Sequence, residues 1–218
     1  MCRHSEPVGH PRTPSSVSFQ RLAAAVLAFL LLASTASLTT VHRWDQAATI
    51  RLQHAAPAAD FPAAALVLLG NAEVLIPAAA LTGVILLPRD RGRGTTALWL
   101  ALGLIAVSLL AVGFKHVIPH PGPPAAFERH LPYRPGINIA TAGSFPSGHT
   151  ARATFLAGTA LRRAPLLAGG LVLAMMAALV YLGDHWTSDV AGGLCLGWAC
   201  VEAARGASWR FSRRSRTG

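Results

Sequence analysis

The stretch "TTALWLALGLIAVSLLAVGFK" (residues 95–115) decides how the rest of the chain is read. From residue 95 to 114 it carries no charge, and it is closed by Lys115 at one end and preceded by Arg89, Arg91 and Arg93 at the other. A bilayer core is crossed by a helix of roughly 20 apolar residues, so this segment reads as a membrane helix with a basic end. Comparable apolar runs lie at about 22–41, 62–87, 150–161, 166–183 and 190–204. The run at 150–161 is short and holds Arg152, so its crossing is inferred from its neighbours. The composition agrees. Of 218 residues, 52% are hydrophobic and 13% charged, against about a quarter charged in an ordinary soluble domain.

The arginines set the orientation. Arg3, Arg12 and Arg21 precede the first run, Arg162 and Arg163 separate the fourth from the fifth, and Arg205, Arg210, Arg213, Arg214 and Arg216 follow the sixth. With six crossings and the N-terminus inside, every cluster falls on the cytoplasmic side, as the positive-inside rule requires. The expected fold is therefore an all-α, six-transmembrane helical bundle in the cell membrane, with both termini cytoplasmic. Residues 1–19 read as a disordered polar and basic tail, 20–208 as the membrane domain, and 209–218 as a basic C-terminal tail. "LLASTAS" (31–37) resembles a signal-peptide cleavage site, but the polar head before it is long for one, and a retained helix is expected. The net charge of +10 does not indicate nucleic acid, because the arginines cluster between apolar runs. Three cysteines without a CxxC pair give neither a disulfide framework nor a zinc ribbon. Gly193 and Gly197 form a GxxxG pair for close helix packing. Nothing in the sequence sets an oligomeric state.

The outward stretches are then 42–61, 115–149 and 184–189, and the last two hold the reactive residues. In "TAGSFPSGHTAR" (141–152), Pro146 and Ser147 suit the residues just before a helix. The free backbone N–H groups near Ser147 and Gly148 would form an anion site, with His149 in the first turn placed to give a proton to a departing oxygen. In "YLGDHWTSDVAGG" (181–193), His185 precedes a cap expected at Thr187 or Ser188, and Asp189 follows it by four residues. Such a carboxylate fixes one ring nitrogen and leaves the other to attack. Lys115, the chain's only lysine, opens the longest outer loop, where it could neutralise a phosphate oxygen. Together these residues point to phosphoryl transfer through a phosphohistidine.

PSGH followed by HWTSD, with a lysine upstream at the end of a membrane helix, resembles the type 2 phosphatidic acid phosphatase superfamily over about residues 40–205. The family pattern is a Lys and Arg-Pro segment, then Pro-Ser-Gly-His, then an Arg followed by His and Asp four apart. The resemblance implies His185 as nucleophile, Asp189 as its orienting group, and His149 as the acid that later helps activate water. Lys115, Ser147 and Gly148 would hold the phosphate, with no metal or other cofactor. The implied substrate is a membrane lipid phosphate or diphosphate, of polyprenyl or phosphatidate type, taken from the bilayer on the extracytoplasmic face. Two family arginines are absent: their positions hold Gly122 and Leu179. Arg134, Arg129 and Arg152 are the candidate replacements. Helical spacing favours Arg152, one turn from His149; its other reading is a side chain that snorkels or pairs with Glu73.

Other readings stay open. His149 and His185 could be packing residues, and a zinc site of His149, His185 and Asp189 is conceivable by ligand type. His116 and His120 share a metal-like spacing, but Pro119 and Pro121 break the helix it would need, so both read as loop histidines. Asp184 could compete with Asp189 for His185. Trp44, Trp99, Trp186, Trp198 and Trp209 read mostly as interfacial anchors. The alternative functions are a catalytically impaired member that binds or translocates phospholipid, and a phosphotransferase using the same histidine.

Overall fold

The computed structural model describes residues 14–129, 141 and 143–214, with side-chain environments from Phe19 to Gly206. Its helices are α1 (Pro14–Thr35), α2 (Thr39–Ala55), α3 (Asp60–Leu69), α4 (Ala72–Leu86), α5 (Arg91–Val117), α6 (Gly148–Ala160), α7 (Pro165–Leu182) and α8 (Thr187–Arg214). Among the described residues there is no strand, so the all-α expectation holds. Side chains such as Leu30, Leu31, Leu102, Leu109 and Leu173 are exposed on the outside of the bundle. An apolar exterior of this kind belongs in lipid, and the protein is a membrane protein.

The apolar runs map onto the helices with two breaks. Among the described residues, only α5 and α7 are each long and apolar enough to cross alone. The first run ends where the chain turns by 97° from α1 into α2, which occupies most of the outer stretch 42–61, and the second run bends by 49° between α3 and α4. Counting each bent pair as one span gives up to four spans. Helix α6, with 13 residues, is about 20 Å long and falls short of a hydrocarbon core about 30 Å thick. The α1–α2 turn has a compositional cause. Helix α2 carries Arg43, Asp45, Gln46, Arg51 and Gln53, so it lies across the end of the bundle and packs on α7 and α8. The α3–α4 break falls at Gly70 and Asn71, whose extended backbone (φ −64°, ψ 143°) interrupts the helix.

Helix α6 sits at the centre, packed against α5, α7 and α8. Its contact with α8 rests on the GxxxG pair. A Cβ on Gly193 would lie 2.4 Å from the Ser147 carbonyl oxygen, and one on Gly197 would lie 2.5 Å from that of Ala151. Around this contact Leu104, Val107, Phe145, Phe155 and Val201 form one buried cluster. Helix α1 contributes Phe29 to it, 4.8 Å from the Phe114 ring and 5.6 Å from that of Phe145. So α1 is an integral part of the bundle. Cys195 and Cys200 are reduced and pack at its edge. Trp44 and Trp99 point outward as anchors do, whereas Trp186 is fully buried; the interfacial reading fails for Trp186 because its indole serves the site.

Gly197→Val forces α8 away from the α6 backbone. Overpacking of this kind costs roughly 1–3 kcal/mol. The purified variant should unfold at a clearly lower temperature than the parent in the same detergent.

Candidate active site

Four chain breaks meet at one end of the bundle: the start of α6, the start of α8, the end of α5 and the α3–α4 break. Each is built by local chemistry. Ser147 caps α6, its Oγ accepting from the Thr150 N–H at 3.4 Å. Gly183 closes α7 in the left-handed region (φ 73°), a conformation that side chains with a Cβ resist. This turns the chain sharply into His185. At α8 neither expected residue is the cap. The Asp189 carboxylate reaches back to the Trp186 N–H at 2.9 Å, the third-position half of a capping box. The loop before α6 is drawn in by Gly143, where a Cβ would stand 2.7 Å from the Ile118 oxygen and 2.8 Å from that of Lys115. The Ser144 N–H then bonds the His120 carbonyl at 2.7 Å.

Asp189 is fully buried. Its Oδ2 lies 3.2 Å from His185 Nδ1 and accepts from the Ser144 hydroxyl. Ser144 Oγ is also 3.1 Å from His185 Nδ1. A carboxylate only accepts, so the ring proton belongs on Nδ1 and Nε2 keeps its lone pair. The Ser147 N–H bonds the Asp189 carbonyl at 3.0 Å, which ties the α6 cap to the start of α8. His149 Nε2 is 2.6 Å from Asn71 Oδ1. Within electrostatic reach of His149 are Arg152, His185 and Lys115. Lys115 is in turn within reach of Asp189 and Arg152.

Behind Asp189 lies a second buried layer. His120 Nε2 is 3.5 Å from Asp189 Oδ1 and 3.4 Å from Ser188 Oγ. Ser188 gives its backbone N–H to Asp45 Oδ1 at 2.8 Å and its hydroxyl to Oδ2 at 2.7 Å. Trp186 Nε1 donates to the Pro121 carbonyl at 3.0 Å, which holds the loop carrying His120. His116 and His120 do not share a face. His116 is exposed in the last turn of α5, whereas His120 lies in the loop after it, as expected, but is buried.

Of the residues expected in the site, Lys115, Ser147, Gly148, His149, Arg152, His185 and Asp189 converge here. Arg134 lies outside the described residues. Arg152 does not snorkel. It is 7% exposed, its Nε donates to the Gly70 carbonyl at 3.0 Å, and Glu73 is within electrostatic reach. One guanidinium nitrogen would stand 3.1 Å from a Cβ on Gly148. Arg129 goes elsewhere: it pairs with Asp60 at 2.8 Å and stacks over Tyr181. That neighbouring carboxylate holds its pKa above the ordinary arginine value. Leu179 is fully buried among Met175, Val180 and Val190, and Gly122 stands beside Ser144. Sequence reasoning missed Ser144, Asn71, His120, Asp45 and Ser188. A polar residue inside an apolar run is expensive, and that criterion, applied to Glu73, would have found Asn71 as well.

The sequence model of the PAP2 superfamily matches residues 96–213, a stretch that includes Lys115, the PSGH turn and the His185–Asp189 pair. The chain belongs to the PAP2 superfamily. Among solved structures it is similar to the "first transmembrane PAP2 type phosphatidylglycerolphosphate phosphatase from Bacillus subtilis". The TM-score is 0.71 at 22% identity, over 87% of this chain and 96% of that one; at that identity the likeness speaks for the fold. No curated protein matches the chain. Membership and fold together support a membrane phosphatase.

Asp45→Ala leaves the buried Ser188 N–H and hydroxyl of this PAP2 chain without an acceptor, at about 1–3 kcal/mol each. Its unfolding temperature should fall further than that of Asp45→Asn, which keeps one acceptor oxygen. Equal losses would show that Ser188 does not depend on this carboxylate.

Proposed function

We propose that the chain is a membrane lipid phosphatase that cleaves the phosphate or diphosphate head of a lipid through a phosphohistidine on His185. The observation that carries this reading is the convergence of His185, His149, Lys115 and Arg152 around the Ser147–Gly148 turn, with Asp189 buried behind His185. The solved relative bears a lipid phosphatase title, which favours a lipid phosphate as substrate class.

The chemistry follows from the proton positions. With Nδ1–H held by Asp189 and Ser144, the His185 Nε2 lone pair attacks phosphorus. The bond from phosphorus to the lipid-side oxygen breaks, and that oxygen takes the Nε2 proton of His149. Asn71 Oδ1, 2.6 Å away, keeps this proton on Nε2 until the leaving group arrives. Water then attacks phosphorus, His149 takes its proton, the P–N bond breaks, and phosphate leaves with His185 restored. Lys115, Arg152 and the backbone N–H groups at the α6 start stabilise the charge that builds on the phosphoryl oxygens. Metal is not required for any of these steps. Arg152 takes over a guanidinium role for the arginines that Gly122 and Leu179 replace, because its side chain is buried and comes up beside Gly148. With α6 and α8 counted beside the four spans, six crossings, cytoplasmic termini and an extracytoplasmic site in the plasma membrane agree with the arginine clusters, with residues 20–208 as the catalytic domain between two tails. An impaired, lipid-binding member would have no use for the intact hydrogen-bonded set on His185.

Phosphate release from phosphatidate, phosphatidylglycerolphosphate and polyprenyl (di)phosphate in detergent with EDTA tests the reading. Release should persist in EDTA and be abolished in His185→Ala. No release from any of these lipids, or equal release by the two proteins, would overturn the proposal. Arg152→Gln should lower kcat about 10²–10³-fold, as removal of one transition-state donor does, with Arg152→Lys recovering part of it. An unchanged kcat in Arg152→Gln would remove Arg152 from the phosphate site.

A further inference from the structure

Helices α6, α7 and α8 also pack together away from the catalytic end, around Ala157, Ala168 and Val172. There, between α6, α7 and α8, lies a groove of about 370 Å³. Its walls are apolar, among them Ala157, Leu161, Val172 and Leu194. Gly169 lines it too, and a Cβ there would meet nothing within 4 Å, so no side chain of the protein fills that space. At the inner end stands Thr154, 3% exposed, whose hydroxyl has no hydrogen-bond partner among the described residues.

The mouth is basic. Arg162 and Arg205 both line it, with Trp198. Arg205 is held in place: it pairs with Glu202 at 2.7 Å, donates to the Gly158 carbonyl at 3.1 Å and lies 5.6 Å over the Trp198 ring. Arg162 brings a second guanidinium to the same lining.

We infer that this groove binds an anionic phospholipid of the surrounding bilayer, with one acyl chain along the apolar walls and the phosphate between Arg162 and Arg205. Guanidinium groups match phosphate oxygens in geometry and charge, and basic pockets between membrane helices take anionic headgroups. Tryptophan beside them sits at headgroup level. A zwitterionic headgroup already offsets its phosphate with its own ammonium group, so it offers these guanidiniums less than an anionic one. The groove runs along α6 and α8 from Thr154 and Leu194 towards Arg162 and Arg205, and none of His149, His185 and Asp189 lines it, so its basic end is separate from the catalytic centre. It does not rest on the phosphatase reading.

The test is the unfolding temperature of the full chain in neutral detergent, titrated with phosphatidylserine or with phosphatidylcholine. A ligand that binds only the folded state raises it saturably. Phosphatidylserine should raise it by several degrees and phosphatidylcholine should not. Arg162→Gln should lose the shift, and so should Gly169→Leu, whose Cβ enters open space. Lys115→Gln, altered at the catalytic end, should keep it. Equal shifts with both lipids, a shift kept in Arg162→Gln and Gly169→Leu, or one lost in Lys115→Gln would each overturn the inference. Arg205→Gln is the weaker variant, because it leaves the buried Glu202 without its partner.

Discussion

A carboxylate with no access to water holds this site together. Asp189 accepts from Ser144 and the Trp186 N–H and faces His185 through one oxygen, while the other oxygen faces His120. Burying such a charge is tolerated only where donors surround it. Those donors come from the loop before α6 and the turn after α7, and the loop after α5 brings His120 to 3.5 Å. Satisfying one ion therefore fixes three segments that are distant in sequence. The same residue caps α8, so the helix cannot start elsewhere without releasing the partner of His185. Asp45 and Ser188 extend the arrangement to α2, which explains why a polar helix lies across that end of an otherwise apolar bundle.

The second constraint is backbone proximity. Gly193 and Gly197 bring α8 against the carbonyl side of α6, and without that approach the Ser147 N–H could not reach the Asp189 carbonyl. Helix α6 can be short because the neighbouring loop enters the bundle to meet it. The broken second run serves the same geometry. A continuous helix through Gly70 and Asn71 would satisfy the Gly70 carbonyl internally, whereas the break frees it to accept from Arg152 and aims Asn71 at His149.

Charge at the site departs from the family pattern in a coherent way. Leu179 has become core, and Gly122 leaves room beside Ser144. Arg152 enters from below the turn instead, on the helix that carries His149. Its cost of burial is met by a backbone carbonyl and by the nearby Glu73, which accounts for a carboxylate inside an apolar run.

Much of this was legible in the chain itself. Apolar runs, basic clusters and the PSGH and HxxxD spacings depend on local composition and helix periodicity, and from them came the all-α membrane fold, the Ser147 cap and the convergence of Lys115, His149, His185 and Asp189. Local pattern could not show that the second run bends, since the helix break at Gly70 is decided by what packs alongside. Nor could it show that His120 is buried, that Trp186 faces inward or that Ser144 and Asn71 serve the histidines. Those residues act across 41 and 78 positions of chain, and only the folded bundle, by burying polar groups that must then find partners, decides which partners they take.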